Sequence, residues 1–287
     1  MPQAIKFTKM HGLGNNYVFV DLFGQPLREE ILSDLAVRVS DVNTGIGSDG
    51  LILIGPSERA DFRMRVFNAD GSEAKNCGNG LRCVAKYVVE RSRTSKRRFT
   101  IETLGGIVRV DAHTDAAGRV EQVTVDMGEP RLRKRDLPMR GDPDSETVDE
   151  AVEIGGETHR MTCVSMGNPH AVLIVPDAAA APVAELGPRI ERSPVFPERV
   201  NVEFISFRGD AEIDFRVWER GSGITRACGT GACAAVVAGV LNGRLARGRP
   251  VTVHLEGGDL VITWAEDGRV LMTGPAEITC DGVYYYK

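Results

Sequence analysis

The stretch "RACGTGACAA" (226–235) places a cysteine and two glycines directly ahead of a run of small apolar residues. An earlier stretch, "KNCGNGLRCV" (75–84), repeats the same Cys-Gly-polar-Gly order. Glycine turns that open onto apolar runs are typical of helix starts, so the sequence predicts helices over 78–92 and 229–243. The Asn-Gly pair at 242–243 predicts the stop of the second helix.

The two cysteine turns belong to a longer internal repeat. An Arg-Val-aromatic triplet precedes each turn, at 65–67 and 216–218, and both the triplets and the cysteines are 151 residues apart. Further upstream, each copy has a Gly-Asn pair before a β-type run, at 14–15 and 167–168. A repeat of this length is too long for a solenoid unit. It predicts two versions of one domain that face each other.

Short β-type runs separated by Gly-rich turns dominate the rest of the chain. They lie at 17–21, 50–55, 62–67, 99–111, 120–128, 170–176, 201–207, 212–219, 250–265 and 269–279. One further helix is predicted over 28–41. The charged segment 131–157 has the composition of a linker or surface excursion, and 176–188 that of a loop or short helix.

Composition excludes several classes of protein. The 287 residues are 42% hydrophobic and 26% charged, an ordinary globular balance. A net charge of −5 argues against nucleic acid as the main partner, and the basic run at 90–99 is predicted to be a solvated helix end. No apolar run is long enough to span a bilayer, and the first residues lack the order of a signal peptide. We therefore expect no membrane partner and a cytoplasmic location.

Six cysteines occur, but neither zinc nor disulfide bonds are expected. The sequence contains no C-x-x-C motif and no His pair at ligand spacing. A cytosolic chain of this length can also build its core without disulfide bonds. We expect four of the cysteines to be small buried hydrophobes: Cys83, Cys163, Cys233 and Cys280.

The other two cysteines, Cys77 and Cys228, stand at the glycine turns. A free cysteine thiol has a pKa of about 8.5, and a helix N-terminus lowers that pKa. The turn also lets backbone N–H groups converge on an anion. Each cysteine is therefore predicted to be a reactive thiol beside an anion-binding turn.

Two such thiols on facing domains suit the inversion of a stereocentre. That reaction removes a proton from one face of a carbon and returns one to the other face, which needs two acid/base groups. The N–H groups would hold a carboxylate and take up charge as the carbanion forms. Other interpretations stay open, because a single Cys-Gly-x-Gly turn can bind phosphate or merely turn. A thiol–disulfide switch between the two cysteines is a further alternative.

Six motifs in order make the chain similar to the diaminopimelate epimerases, a family of pyridoxal-independent amino-acid epimerases. They are "KMHGLGNNYVFVD" (9–21), "GIGSDGLI" (45–52), "FNADGSEAKNCGNGLRC" (67–83), "MGNPHAV" (166–172), "RVN" (199–201) and "ERGSGITRACGTGACA" (219–234). The resemblance implies an α+β fold of two pseudo-symmetric domains, each a curved, mostly antiparallel sheet wrapped around a central helix. The domains expected are 1–127 with 276–287, and 128–275, with the active site in the cleft between them.

The resemblance also implies roles for particular residues. Cys77 matches the proton donor and Cys228 the proton acceptor in one direction of the reaction. The substrate-binding residues implied are Asn15, Asn68, Gly78, Asn79, Asn168, Asn201, Glu219, Arg220, Gly229 and Thr230. His170 and Glu219 match residues that tune the pKa of the cysteines. The reaction implied converts LL- to meso-diaminopimelate in lysine and cell-wall precursor synthesis. It needs no metal, pyridoxal or nicotinamide cofactor and is carried out by a homodimer.

Three motifs depart from the common pattern of the family. Gly50 stands where many relatives have Gln, so a substrate contact is missing or supplied by another group. "GNNY" replaces "GNDF", a change at Asn16 and Tyr17 that we expect to affect the site little. Ile224 stands where Glu is frequent, which removes a polar group before the second turn. A proline-racemase-like enzyme is the nearest alternative, although proline lacks the second charged end that Glu219 and Arg220 suit.

Overall fold

The chain divides into two units in the computed structural model, which describes residues 3–75 and 77–287. The first unit is made by the residues up to Val125 together with Gly274–Lys287, and the second by Asp126–Thr273. Each unit combines one principal sheet with two α-helices. The predicted α+β fold of two related domains is therefore confirmed.

The first unit is a mixed sheet with two helices. Its strands are β1 (Gln3–Gly12), β2 (Asn15–Asp21), β3 (Gly50–Gly55), β4 (Phe62–Asn68), β5 (Glu73–Ala74), β6 (Arg98–Thr103), β7 (Gly106–Thr114), β8 (Val120–Asp126) and, from the C-terminus, β18 (Glu277–Tyr286). Its helices are α1 (Leu32–Ser40), which a 3-10 turn (Glu29–Ile31) precedes, and α2 (Gly78–Glu90). The strands pair in the order β18, β1, β2, β3, β4, β6, β7, β8, and β5 forms a short hairpin with β4.

The second unit repeats this plan. Its strands are β9 (Glu150–Ile154), β10 (Glu157–Ser165), β11 (Pro169–Ile174), β12 (Asn201–Phe207), β13 (Glu212–Glu219), β14 (Gly223–Ile224), β15 (Val251–Leu255), β16 (Gly258–Trp264) and β17 (Val270–Gly274). Its helices are α3 (Val183–Glu191) and α4 (Gly229–Leu241), and a 3-10 turn spans Lys134–Asp136. The strands pair in the order β9, β10, β11, β12, β13, β15, β16, β17, with β14 on β13.

The two sheets match strand for strand, including the direction of each pairing. The parallel pairs are β2–β3 and β4–β6 in the first unit, and β11–β12 and β13–β15 in the second. The one difference lies in the origin of the outer strand. In the second unit β9 directly precedes its partner β10, whereas in the first unit β18 comes from the chain end to pair with β1. The repeat seen in the sequence is thus a repeat of topology.

Helices α2 and α4 carry most of their residues inside the core of their own unit. The α4 sequence consists mainly of Gly, Ala and Val, and its small side chains let the sheet approach closely. At Gly239, for example, a Cβ atom would stand 3.1 Å from Cε1 of Phe207, the last residue of β12. Within the described residues, no helix has the length and apolar character needed to cross a membrane.

Several local predictions were wrong. Segment 131–157 is no surface linker, because Leu137, Met139 and Val152 lie in the hydrophobic core of the second unit and β9 is part of it. Its charged residues alternate with apolar ones that point inward, so average composition concealed the strand. Cys280 is exposed rather than buried, because the β18 face that carries it is turned to solvent.

Other boundaries shifted by a few residues. The helices predicted over 78–92 and 229–243 end at Glu90 and Leu241. Helix α3 lies at the end of the segment predicted as a loop or short helix, and extends three residues beyond it. The strand patterns of β1 and β10 were missed, because charged and polar residues interrupt them.

The ends of α2 and α4 provide a test of the repeat. Both helices close with a residue in the left-handed conformation, Ser92 (φ 55°) after α2 and Gly243 (φ 67°) after α4. In each case the next N–H bonds back into the last turn, from Arg93 to Val88 O (2.8 Å) and from Arg244 to Gly239 O (2.9 Å). Only glycine adopts this backbone conformation without steric cost.

We therefore expect Ser92→Gly to stabilise the protein by about 0.5 to 1 kcal/mol, since relief of the left-handed strain exceeds the added chain entropy of glycine. The reciprocal change, Gly243→Ser, should destabilise it by about 1 kcal/mol. Urea denaturation followed by circular dichroism measures both. A lower urea midpoint for Ser92→Gly would contradict this account of the helix end.

Candidate active site

Cys77 forms the N-cap of α2, and its sulfur accepts a hydrogen bond from a first-turn N–H that has no acceptor within the helix. Its backbone is extended (φ −149°, ψ 107°), and Sγ accepts the N–H of Gly80 at 3.3 Å. A Cβ atom on Gly80 would stand 2.6 Å from Cδ1 of Ile52 and 3.5 Å from Sγ of Cys77. Close packing against Ile52 therefore favours glycine at the second glycine position of the turn.

A chain of amide hydrogen bonds fixes the surroundings of Cys77. The thiol points at Oδ1 of Asn15 (3.9 Å), which also accepts from Nδ2 of Asn79 (3.1 Å). Nδ2 of Asn15 donates to Oδ2 of Asp49 (2.9 Å). The buried Arg82 donates to Oδ1 of Asn79 (2.8 Å). Asn15 and Asn79 are thereby oriented before any substrate arrives.

Tyr17 completes this group, which we call the first cysteine site: Cys77, Asn15, Asn79 and Tyr17. The buried Tyr17 hydroxyl hydrogen-bonds to the Cys77 thiol, and the neighbouring sulfur together with burial raises the pKa of Tyr17 well above its usual range. The expectation that the "GNNY" change affects the site little was therefore wrong at Tyr17. At Gly50, a Cβ atom would lie 2.1 Å from the Phe67 carbonyl oxygen and 3.0 Å from the Tyr17 ring, so this backbone leaves no room for a side chain.

Cys228 caps α4 in the same way. Its backbone is extended (φ −119°, ψ 103°), and its sulfur accepts the N–H of Gly231 at 3.4 Å. The Thr230 hydroxyl lies 3.6 Å from Sγ and accepts from Nδ2 of Asn168 at 3.3 Å. Cys228 is more deeply buried than Cys77.

His170 and Glu203 lie behind this turn and are both fully buried. Nδ1 of His170 is 2.6 Å from Oε1 of Glu203, and Nε2 is 3.1 Å from Oδ1 of Asn168. A Cβ atom on Gly231 would stand 2.9 Å from Oε1 of Glu203 and 3.2 Å from Sγ of Cys228. The carboxylate oxygen and the sulfur thus both lie close to the place where a side chain at this position would stand.

Glu219 closes what we call the second cysteine site: Cys228, Thr230, Asn168, His170, Glu203 and Glu219. Its carboxylate accepts from the Thr225 hydroxyl and from the Cys228 thiol. Burial raises the pKa of Glu219, while the Thr225 hydrogen bond and the charge of His170 oppose that increase. The adjacent Ile224 side chain is exposed, so Thr225 supplies the local hydrogen bond that the Ile224 departure put in doubt.

Gly78 and Gly229 follow the two cysteines directly as the first residues of α2 and α4, and three other predicted substrate residues lie outside the two hydrogen-bonded groups. Asn68 ends β4, and its amide donates to Ser72 (3.0 Å) in the β4–β5 turn. Nδ2 of Asn201 donates to the Pro169 carbonyl oxygen (3.0 Å), while Oδ1 accepts the N–H of Arg220 (2.8 Å). The exposed Arg220 guanidinium donates to the Glu198 carbonyl oxygen (3.1 Å).

The predicted lowering of the cysteine pKa values is contradicted. Burial raises the pKa of Cys77, and the Gly80 and Tyr17 hydrogen bonds only partly offset it. Burial and then the neighbouring Glu219 and Glu203 raise the pKa of Cys228 well above its usual range. Desolvation disfavours a thiolate more strongly than a helix N-terminus stabilises it at these positions. Both cysteines are therefore neutral thiols near pH 7.

Sequence reasoning missed Tyr17 and Glu203. Tyr17 stands two residues after Asn15, as His170 stands two residues after Asn168, so the repeat itself carried the signal for Tyr17. Glu203 stands two residues after Asn201 on the same face of β12, where it reaches His170 across the β11–β12 pairing. The contact between Glu203 and His170 depends on the register of β11 against β12, which cannot be inferred from the sequence.

Comparison with solved structures defines the class of fold. A phenazine biosynthesis protein of the PhzF family from Bacillus anthracis matches with a TM-score of 0.72 at 18% identity, covering 98% of this chain and 99% of that chain. A probable proline racemase from Agrobacterium radiobacter K84 matches with a TM-score of 0.69 at 17% identity, covering 99% and 93%. At these identities the likeness concerns the fold, which is the duplicated α+β fold shared by these proteins.

Sequence comparison identifies the family within that class. The family model described as "Diaminopimelate epimerase" matches residues 7–133 and 162–279. A diaminopimelate epimerase from Bacillus licheniformis is 58% identical over 282 residues, which cover 98% of this chain and 99% of the relative. The chain belongs to the diaminopimelate epimerase family, as the six motifs implied.

The raised thiol pKa values predict slow alkylation of the free protein. With iodoacetamide at pH 7.5, Cys77 should react more slowly than an exposed thiol, and its rate should still be rising above about pH 8.5, the ordinary thiol value. Peptide mass spectrometry of a Cys280→Ser background measures this without interference from the exposed Cys280. A rate that levels off below pH 8 would show that the helix N-terminus outweighs burial.

Proposed function

We propose that Cys77 and Cys228 are the two acid/base groups with which this epimerase interconverts LL- and meso-2,6-diaminopimelate. The observation that supports this most directly is the duplicated cap. In each unit a cysteine sulfur accepts the N–H of the third residue after it, Gly80 or Gly231, at the start of a buried helix. Packing alone requires no sulfur at either position.

In the proposed reaction one of the two thiols first gives its proton to solvent, and the thiolate that results removes the α-proton and becomes a thiol again. The electron pair left on the α-carbon delocalises into the substrate carboxylate. The other thiol then donates its proton to the opposite face and becomes a thiolate, so that protons and charge balance. In one direction Cys228 accepts the proton and Cys77 donates it, and the roles exchange in reverse.

The helix starts are proposed to stabilise the carboxylate as it gains charge. The first N–H groups of a helix have no partner within the helix, so those of Gly78, Asn79, Gly229 and Thr230 are suited to an oxyanion. The side chains of Asn79 and Thr230 are each held by a neighbouring asparagine, which keeps these turns fixed. Such fixed donors need no reorganisation when the carbanion forms.

The raised thiol pKa values suit this chemistry. A thiolate formed in a buried site is a stronger base than one in water, and so is better matched to the weakly acidic α-proton. The opposing thiol keeps its proton until the carbanion needs it. Burial therefore favours acid/base catalysis by both cysteines. It disfavours the ionised, reactive thiol that the helix N-termini alone would predict.

Recognition of the distal end of the substrate is proposed to fall to polar residues beyond the two caps. That end carries an ammonium and a carboxylate, so it needs donors and acceptors together. Asn68 and Asn201 offer both, and the exposed guanidinium of Arg220 can bind a carboxylate through two N–H groups. Proline has no second charged end, which is why this set favours diaminopimelate over a proline-like substrate.

The homodimer, the cytoplasmic location and the absence of a cofactor that the resemblance implies stay predictions. Light scattering coupled to gel filtration tests the first, with twice the mass of one chain as the expected result. Activity of protein purified in the presence of a chelator and a carbonyl reagent tests the last, because neither reagent should inhibit an enzyme that uses only thiols.

Substitution of either cysteine tests the proposed roles. We expect Cys77→Ser and Cys228→Ser each to lower kcat for epimerisation of LL-diaminopimelate by about 10²- to 10⁴-fold, since serine is a far weaker acid and base than cysteine. Calorimetric substrate binding should survive. Cys280→Ser serves as the control, because this exposed cysteine lies outside both sites. Full activity in either single variant would exclude the two-thiol mechanism.

A further inference from the structure

The pair His170–Glu203 is the most unusual feature of the second cysteine site. Both side chains have no exposed surface, and their facing atoms are 2.6 Å apart. Oε2 of Glu203 has no hydrogen-bond partner among the described residues. Burying a carboxylate with one unpaired oxygen is costly, so the position is not explained by stability.

The hydrogen bonds around the imidazole indicate its charge. Nδ1 faces a carboxylate oxygen, and Nε2 faces the amide oxygen of Asn168 at 3.1 Å. The amide is oriented by its other end, because Nδ2 of Asn168 donates to Oγ1 of Thr230. The amide oxygen only accepts, so Nε2 carries a proton, and beside an ionised Glu203 Nδ1 must donate as well. An imidazolium paired with an ionised Glu203 satisfies both contacts, and although burial raises the pKa of Glu203, the facing His170 opposes that increase.

The first unit shows that the fold does not require this pair. The residue 151 positions before Glu203 is Ile52, which is equally buried and packs against Gly80 as Glu203 packs against Gly231. The counterpart of His170 on β2 is Tyr17, two residues after Asn15. One cysteine turn thus rests on an apolar residue and a phenol, and the other on an ion pair.

The surrounding charges explain what an imidazolium does here. Glu219 on β13 and the Cys228 thiol at the start of α4 lie on one side, and Cys163 on β10 lies near Glu203. Each of these groups is neutral or anionic, and the His170 charge opposes the increase in the pKa of Glu219, which itself accepts a hydrogen bond from Cys228. Without a counter-ion, a fully buried imidazolium would lose its proton.

We propose that Glu203 is a positioning residue that keeps His170 doubly protonated behind Cys228, so that the imidazolium supports the charge that forms there during epimerisation. This role rests on the proposed function of Cys228. Glu203 itself acts through His170 and does not touch the reacting carbon. The proposal makes the two halves of the duplicated site chemically different, with a fixed charge at the Cys228 half.

Two variants at position 203 test this proposal. Glu203→Gln keeps the shape and the acceptor of the side chain but removes its charge. Glu203→Ile copies the first unit, so it should fold without difficulty. Glu150→Gln is the control, because it neutralises a carboxylate of the same unit that pairs with Lys134 and belongs to neither cysteine site. Thermal denaturation checks that each variant is folded.

Side-chain ¹⁵N NMR of His170 at pH 7.5 provides a readout that a purely structural role would not change. We expect two protonated ring nitrogens in the wild type and in Glu150→Gln, and one protonated nitrogen in both position-203 variants. The kcat for epimerisation should fall by about 10- to 100-fold in these two variants with little change in KM, a loss smaller than that from removing an acid/base group itself.

The outcomes separate this proposal from the function on which it rests. A neutral His170 in the wild type would overturn the charge assignment. Full kcat in folded Glu203→Gln, or a loss of kcat while His170 stays doubly protonated, would overturn the role of Glu203. In each of these cases, a wild type that epimerises and a Cys228→Ser variant that does not would leave the proposed function intact.

Discussion

The two sites depend on one interaction, the hydrogen bond from a glycine N–H to a cysteine sulfur at the start of a buried helix. The bond fixes the sulfur at the helix N-terminus, where the proposed function needs it. Glycine is favoured three residues after each cysteine, at Gly80 and Gly231, because side chains of the sheet and the sulfur lie close to the place of a Cβ atom. A capping cysteine, a tight turn and a helix start thus arise from four consecutive residues.

Duplication preserved this arrangement while the residues behind it diverged. Strand order, pairing direction and helix placement are the same in both units, and both cysteines have the same backbone conformation. Yet Tyr17 and Ile52 stand where the second unit has His170 and Glu203. Two acid/base groups that exchange roles need not be equivalent, because the substrate presents a different face to each. These differing residues lie beside the cysteine turns, where they change the charge near a thiol without altering the fold.

Much of this could be predicted from the sequence, for physical reasons. The helix starts were visible because glycine, cysteine and an apolar run follow one another directly, and the repeat was visible because its spacing is constant. The pKa direction of Cys77 and Cys228 could not be predicted, since burial by distant strands outweighs the local helix dipole. The contact of Glu203 with His170 needs the β11–β12 register. The core residues in 131–157 were concealed by the charges around them.

The central claim is that two separate thiols act on opposite faces of one carbon, and the isotope distribution in heavy water tests it most directly. With LL-diaminopimelate in D₂O at low conversion, the account predicts deuterium at the inverted α-carbon of the meso product and protium in the remaining LL substrate. The proton is removed by one thiol, and the deuteron comes from the other. Equal early deuterium content in recovered substrate and product would indicate a single acid/base group and would contradict the account.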